Sequence, residues 1–378
     1  MNKNLPFYIL TVLCLLFSGC ALNDSNRLPR MMETPAPYMN FPLNLEWATI
    51  LPNRIIGMAV AEKSLTLVTR FDNGLELQTL DLQTGARIWE KRLNQGRNGE
   101  NSYTNIQTQN SIIFVTYANE IYAFDAMSGA ILWRAGGLES NINKIMSFSK
   151  KNIIVVDVSR KVLAYDIETG EIAWVINIDR GTVSLFAENS SNLVYFFQDT
   201  LAKTINDEDG HIFGEYNLSK CSARAYWNQI LYCTIGNEGG SVLEAYNLST
   251  ESIVWKTEID TPNTFLSFND KGIERLIGQS DKTLTSIDIN SGKKDWEYTL
   301  PTGYYRMPVV LDRVIYTKNF YSGRILAFDL QDGEFLGYLE LKPKDEAMLI
   351  QADDLLVDPS DSFLVLYHMN QVFVYRSE

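Results

Sequence analysis

The chain has 378 residues, 46% hydrophobic and 12% aromatic, with a formal net charge of −13 at pH 7. That is ample apolar material for a large core, and an acidic surface repels phosphate backbones, which speaks against nucleic acid as a partner. Length alone suggests two or three domains of about 150 residues, a prior that an internal repeat overrides.

Residues 1–19 read as a secretory signal. Lys3 and the amino terminus supply positive charge, and an apolar run of about 13 residues extends from Leu5 to Phe17. A membrane-spanning helix needs about 20. The run ends Phe17-Ser18-Gly19-Cys20, which resembles the lipobox of bacterial lipoproteins, with Phe at the usual Leu position. The resemblance implies a lipid on Cys20 as the mature amino terminus. Ala21 follows where inner-membrane retention favours Asp, which implies an outer-membrane anchor facing the periplasm. Residues 20–43 are polar and Pro-rich with no period of 2 or 3.6, and read as an extended tether.

The remainder, 44–378, is organised by one repeat. A β-rich run is followed by Asp-x-x-x-Gly and then by Trp four residues after the Gly. Copies read LDLQTGARIW (80–89), FDAMSGAILW (124–133), YDIETGEIAW (165–174), YNLSTESIVW (246–255), IDINSGKKDW (287–296) and FDLQDGEFLG (328–337), with a degenerate INDEDGHIFG at 205–214. The first turn positions, Asp81, Asp125, Asp166, Asn206, Asn247, Asp288 and Asp329, are spaced by 44, 41, 40, 41, 41 and 41 residues. Asp or Asn nucleates a turn by accepting from downstream N–H groups, and Gly accepts positive φ. Flanking segments such as RILAFDL (324–330) are rich in β-branched and aromatic residues and read as strands. The turn then joins the last two strands of a four-stranded unit, and the Trp packs over the turn of a neighbouring unit. Four strands in about 41 residues, repeated radially, is the pattern of a propeller blade.

The chain ends add a blade. Leu45-Glu46-Trp47 supplies an isolated last strand, with Trp47 42 residues before Trp89, and residues 345–376 supply three strands without an Asp turn. Together they complete an eighth blade that ties the termini and hides both sheet edges. The alternative is seven blades with ragged ends. The fold expected is an all-β, eight-bladed propeller, with Trp47, Trp89, Trp133, Trp174, Trp255 and Trp296 in equivalent docking positions. Trp227 falls outside the register, in a turn.

The Asp-x-x-Thr-Gly-x-x-x-Trp unit resembles the tryptophan-docking repeat of the PQQ-like propellers over nearly the whole mature chain. Within that superfamily the acidic, eight-bladed lipoprotein with few cysteines is similar to the BamB family. That resemblance implies a non-enzymatic accessory scaffold of outer-membrane β-barrel assembly, with the periplasmic domains of BamA as partner and no cofactor. The match departs at two places. Val183, Ser184, Leu185 and Phe186 stand where that family carries a Leu-x-Leu-Arg contact, so the Arg is missing. Its Asp-rich loop in the next blade is absent too, because Asn217-Leu218-Ser219-Lys220 leads directly into a strand.

Quinoprotein dehydrogenases share the repeat, so an enzyme is the rival reading. They resemble one another in a vicinal cysteine pair and an acidic calcium site, and this chain has no adjacent cysteines and no CxxCH, HExxH or GxSxG motif. His211 follows a turn Gly and reads as exposed; His368 lies in a strand-like run and reads as packed. No catalytic, cofactor or metal site is expected. A third reading is a propeller that binds a ligand in its central channel or docks on another envelope complex.

Two further sites are expected. Cys221 and Cys233 lie six residues to either side of a hairpin centred near Trp227-Asn228, where they can form a disulfide in an oxidising compartment; the alternative is two free buried thiols. The partner surface is the face carrying the blade-to-blade and second-to-third-strand loops. Val183, Leu185 and Phe186 come from one connection there, Tyr304, Tyr305 and Arg306 from another, and Phe320 and Tyr321 from an adjoining loop. Such aromatic and aliphatic content in loops asks for a reason, and Tyr and Arg are enriched at binding hot spots. The alternative is that these side chains plug the propeller mouth.

Overall fold

The computed structural model describes residues 42–377, apart from 72–73, 95–103, 118, 137–141, 158–160, 179–182, 188–191, 199–200, 219–220, 238–239, 261–263, 271–272, 304, 306–307, 320–323, 341–353 and 359–362. Residues 1–41, the signal and all but the last two residues of the tether region, therefore lie outside the described residues, and Leu43 already pairs within the propeller.

The repeat acts first through its turn. In the copy at 81–85, the Gly85 N–H donates to the Asp81 carbonyl at 2.9 Å, and the Asp81 N–H donates to the Ala86 carbonyl at 2.7 Å. The Thr84 N–H and hydroxyl both donate to Asp81 Oδ1 at 2.7 Å. One carboxylate oxygen thus satisfies a backbone and a side-chain donor, which explains the Ser or Thr before the glycine. Ser128, Thr169 and Ser291 repeat the contact with Asp125, Asp166 and Asp288. Gly85 sits at φ +70°, the left-handed region that glycine enters without a Cβ clash.

These turns organise eight four-stranded antiparallel sheets. In chain order, blades one to seven span residues 55–94, 104–135, 142–177, 183–217, 221–259, 264–299 and 309–340. The eighth is Asp354–Asp358, Phe363–His368 and Gln371–Ser377 closed by Leu43–Ile50 as outer strand. Leu43 lies opposite Ser377, and Ile50 opposite Gln371. The ring therefore has eight blades, joined through both ends of the chain.

Each sheet is covered on both faces by its neighbours, so the middle strands are apolar throughout rather than alternating. Asn152–Asp157 (NIIVVD) is buried at every position. Apolar side chains gather in a separate cluster at each seam: Val68, Leu75 and Leu77 of blade one meet Ile113, Val115 and Phe124 of blade two. Burying each such side chain contributes about 1.5–3 kcal/mol, so a ring of seams stabilises the fold without a central core.

Candidate functional site

The docking tryptophans hold the seams together. Each outer strand that carries a docking tryptophan is bulged just before it, as between Thr79 and Leu80 or Ala164 and Tyr165 of the facing third strand. A bulge re-aims a side chain. The residue opposite is small: Thr79 faces Trp89, Ala123 faces Trp133, Ala164 faces Trp174, Ala245 faces Trp255 and Ser286 faces Trp296. Each indole lies on the turn glycine one blade on, so that a Cβ at Gly129 would stand 2.6 Å from the Trp89 ring. The Nε1 groups of Trp47, Trp89, Trp133 and Trp174 donate to the carbonyls of Leu82, Ala126, Ile167 and Asp207 at 2.7–2.8 Å. Trp255 and Trp296 donate to Ile289 and Leu330 at 3.0 and 3.1 Å. The acceptor is always the residue after the turn Asp or Asn, so a single indole both covers the glycine and satisfies a carbonyl.

The meander sorts the connections onto two faces. Hydrogen bonds such as Leu82 N–H to the Lys63 carbonyl, 2.8 Å, join the Asp turns to the first-to-second-strand turns. On the opposite face, Leu51 of the connection between blades eight and one and Ile55, the first residue of blade one, donate to the Asn370 and Met369 carbonyls, both at 2.7 Å.

Two expectations for the partner surface are corrected. Val183, Leu185 and Phe186 do not belong to a connection: they lie in Val183–Ala187, the inner strand of blade four, opposite Gln198, Phe196 and Tyr195. The β-prone run simply pairs as soon as the chain crosses into the blade. Tyr305 is in a connection but is only 3% exposed. Its hydroxyl donates to the Pro301 carbonyl at 2.7 Å, its backbone bridges to Asn319, and burial raises its phenol pKa well above the usual value. It is a packed residue of the connection between blades six and seven. Beside it, Thr317 donates to Gln279 at 2.5 Å across the seam between blades six and seven. Tyr304, Arg306, Phe320 and Tyr321 lie outside the described residues.

Cys221 and Cys233 are bonded through their sulfurs, with Cα atoms 5.1 Å apart. The hairpin turn is Asn228–Gln229, one residue later than expected, at φ +46° and +66°. Trp227 therefore ends an inner strand rather than occupying the turn, and is 36% exposed. His211 is exposed, with its ring edge-on to Phe213. Among the described residues no group of three or more His, Cys, Asp or Glu could hold a metal ion.

Sequence reasoning missed an apolar rim. Ile131 and Leu132 of blade two, Ile172 of blade three, Phe213 of blade four, and Ile253 and Val254 of blade five are exposed on outer strands, two or three residues after the turn. Blades one and six carry Arg87 and Lys294 at that position. That contrast between aligned repeats was the available signal.

A sequence profile described as outer membrane protein assembly factor BamB matches residues 73–273, more than half of the 378 residues. The chain belongs to the BamB family. The outer membrane protein assembly factor BamB of Yersinia pestis is 22% identical over 383 aligned residues, covering 90% of this chain and 93% of its own. The crystal structure of BamB from Moraxella catarrhalis superposes with a TM-score of 0.64 at 16% identity, covering 88% of this chain and 99% of that one. A quinohemoprotein alcohol dehydrogenase from Pseudomonas putida HK5 superposes at 0.59 with 12% identity, over 89% of this chain and 76% of that one. At these identities the two structural likenesses are of fold, and the family assignment rests on the profile match.

Proposed function

We propose that this chain is a non-enzymatic scaffold of outer-membrane β-barrel assembly, held on the periplasmic side of the outer membrane by lipid on Cys20. It docks the periplasmic domains of a BamA-like protein. The observation that carries the reading is the BamB profile match across residues 73–273, joined to a closed ring that offers two broad faces. The docking surface is the face of blade-to-blade connections, with Tyr304, Arg306, Phe320 and Tyr321 as contacts and Val183 at its edge, where the inner strand of blade four begins. Tyr305 positions this surface from beneath.

Affinity purification of the full-length chain from detergent-solubilised outer membranes tests the reading. A BamA-like barrel protein should co-purify in near-stoichiometric amount. Recovery of the chain without it, or dye-linked alcohol oxidation after loading with PQQ and calcium, would refute the scaffold role.

A further inference from the structure

The seam between blades four and five is built differently from the others. At the tryptophan position the outer strand Ile212–Asn217 carries Gly214, and the facing turn carries Glu251 in place of glycine. Glu251 still holds φ at +52°, a conformation that L side chains rarely adopt. Both halves of the clasp are missing together. At the seam between blades seven and eight Gly337 also replaces the tryptophan, but there the facing blade has no Asp turn, since its last two strands are the two ends of the chain. That seam is bridged instead by the Ser377 hydroxyl on the Asp312 carboxylate and by a broad apolar cluster.

Tyrosines fill the blade four–five gap. Tyr216 lies back over Gly214, its hydroxyl 2.8 Å from where a Cβ would stand. Tyr195 of blade four packs on Tyr226 of blade five with ring centres 4.4 Å apart. Both cysteines belong to the same cluster, with Phe197, Leu218, Leu231 and Leu248. Cys221 is the first residue of the inner strand of blade five, and its N–H donates to the Leu218 carbonyl at 3.2 Å as the chain crosses from blade four. Cys221 pairs with Ile235, and the ladder then shifts register before Arg224, so the pairing at this entry is interrupted. The bond to Cys233 ties the entering strand of blade five to its second strand across that interruption.

We infer that this seam is where the ring opens first, and that the Cys221–Cys233 bond is the latch that keeps it shut. Reduction by a dithiol places two electrons and two protons on the sulfurs, giving two thiols and leaving the reductant as its own disulfide. The crossing segment is then released while the tryptophan clasps elsewhere are untouched.

Amide hydrogen exchange on the full-length protein tests this. Reduction with dithiothreitol, or the Cys221→Ser/Cys233→Ser pair, should accelerate exchange across 212–226 by about tenfold or more, with less than about twofold change at 152–157. Adding Gly214→Trp and Glu251→Gly to the cysteine-free chain installs the missing clasp and should return exchange to within about threefold of the oxidised protein. Blade six, where Trp296 and Tyr298 stand at the same two positions, indicates that a tryptophan there can coexist with Tyr216. If the serine pair does not fold, reduction of the native protein gives the same reading. Uniform acceleration at every seam, no acceleration, or an installed clasp that fails to slow exchange would overturn the inference.

Discussion

The indole of Trp47, on the outer strand of blade eight, lies over Gly85 of blade one, and its Nε1 donates to the Leu82 carbonyl at 2.8 Å. The same contact repeated from Trp255 to Gly292 joins two blades that are consecutive in sequence. Ring closure therefore uses the contact that holds the interior seams. Trp47→Ala and Trp255→Ala, both half-buried, should each cost about 2–4 kcal/mol, whereas Trp227→Ala should cost about 1 kcal/mol or less. Urea melts of the three variants check this; a small loss for Trp47→Ala would mean that the closing seam is held otherwise.

The turn position predicts opposite signs at two equivalent residues. Gly292→Ala puts a Cβ onto the Trp255 ring at φ +70°, and should destabilise by about 2 kcal/mol or more through backbone strain and a displaced indole. Glu251→Gly relieves a left-handed residue with no indole above it and should stabilise by up to about 1 kcal/mol. Thermal melts of the two variants decide, and equal effects of the same sign would contradict the turn analysis.

Acid should weaken the turns. Hydrogen bonds from Thr84, Ser128 and Ser291 hold Asp81, Asp125 and Asp288 below the ordinary carboxylate value of 3.8. A folded pKa below the unfolded one adds stability that is full above the unfolded value and is lost as pH falls through the folded value. The melting temperature should therefore drop below about pH 4. Asn206 and Asn247 make the backbone contacts of the turn without a charge, so the triple Asp→Asn variant should fold and show a shallower acid limb. An unchanged limb would remove the turns as its source.

Those turns are also why so much of the fold was legible in the sequence. Asp81 and Gly85 form a local turn whose spacing is set by hydrogen bonds across four or five residues, and seven copies of that turn position, five of them followed by a tryptophan, announce it. The inner strands carry no such marker. Val183–Ala187 is short and follows a connection of variable length, so its aromatic and aliphatic residues looked like loop content. Tyr305 misled for a related reason: a tyrosine in a loop can bury its ring when a nearby carbonyl, here that of Pro301, accepts its hydroxyl. The missing clasp at Gly214 and Glu251 was visible in the aligned repeats, but its meaning depended on which turn faces which strand.

Cys20 should carry the membrane anchor. Mass spectrometry of the mature protein should find a lipidated cysteine at its amino terminus, and Cys20→Ser should leave the chain unprocessed or free of lipid. An unmodified amino terminus downstream of Cys20 would contradict the anchor.

Capture of the partner by surface variants tests the central claim most directly. The wild-type chain and Phe213→Asp, which alters the apolar rim on an outer strand, should both retain a BamA-like protein from solubilised outer membranes. Phe320→Asp/Tyr321→Asp should lose it with a melting temperature within about 2 °C of wild type. Failure of the wild-type chain to capture any component of the assembly machinery would contradict the scaffold reading; loss on Phe213→Asp with capture intact in the loop variant would move docking to the rim.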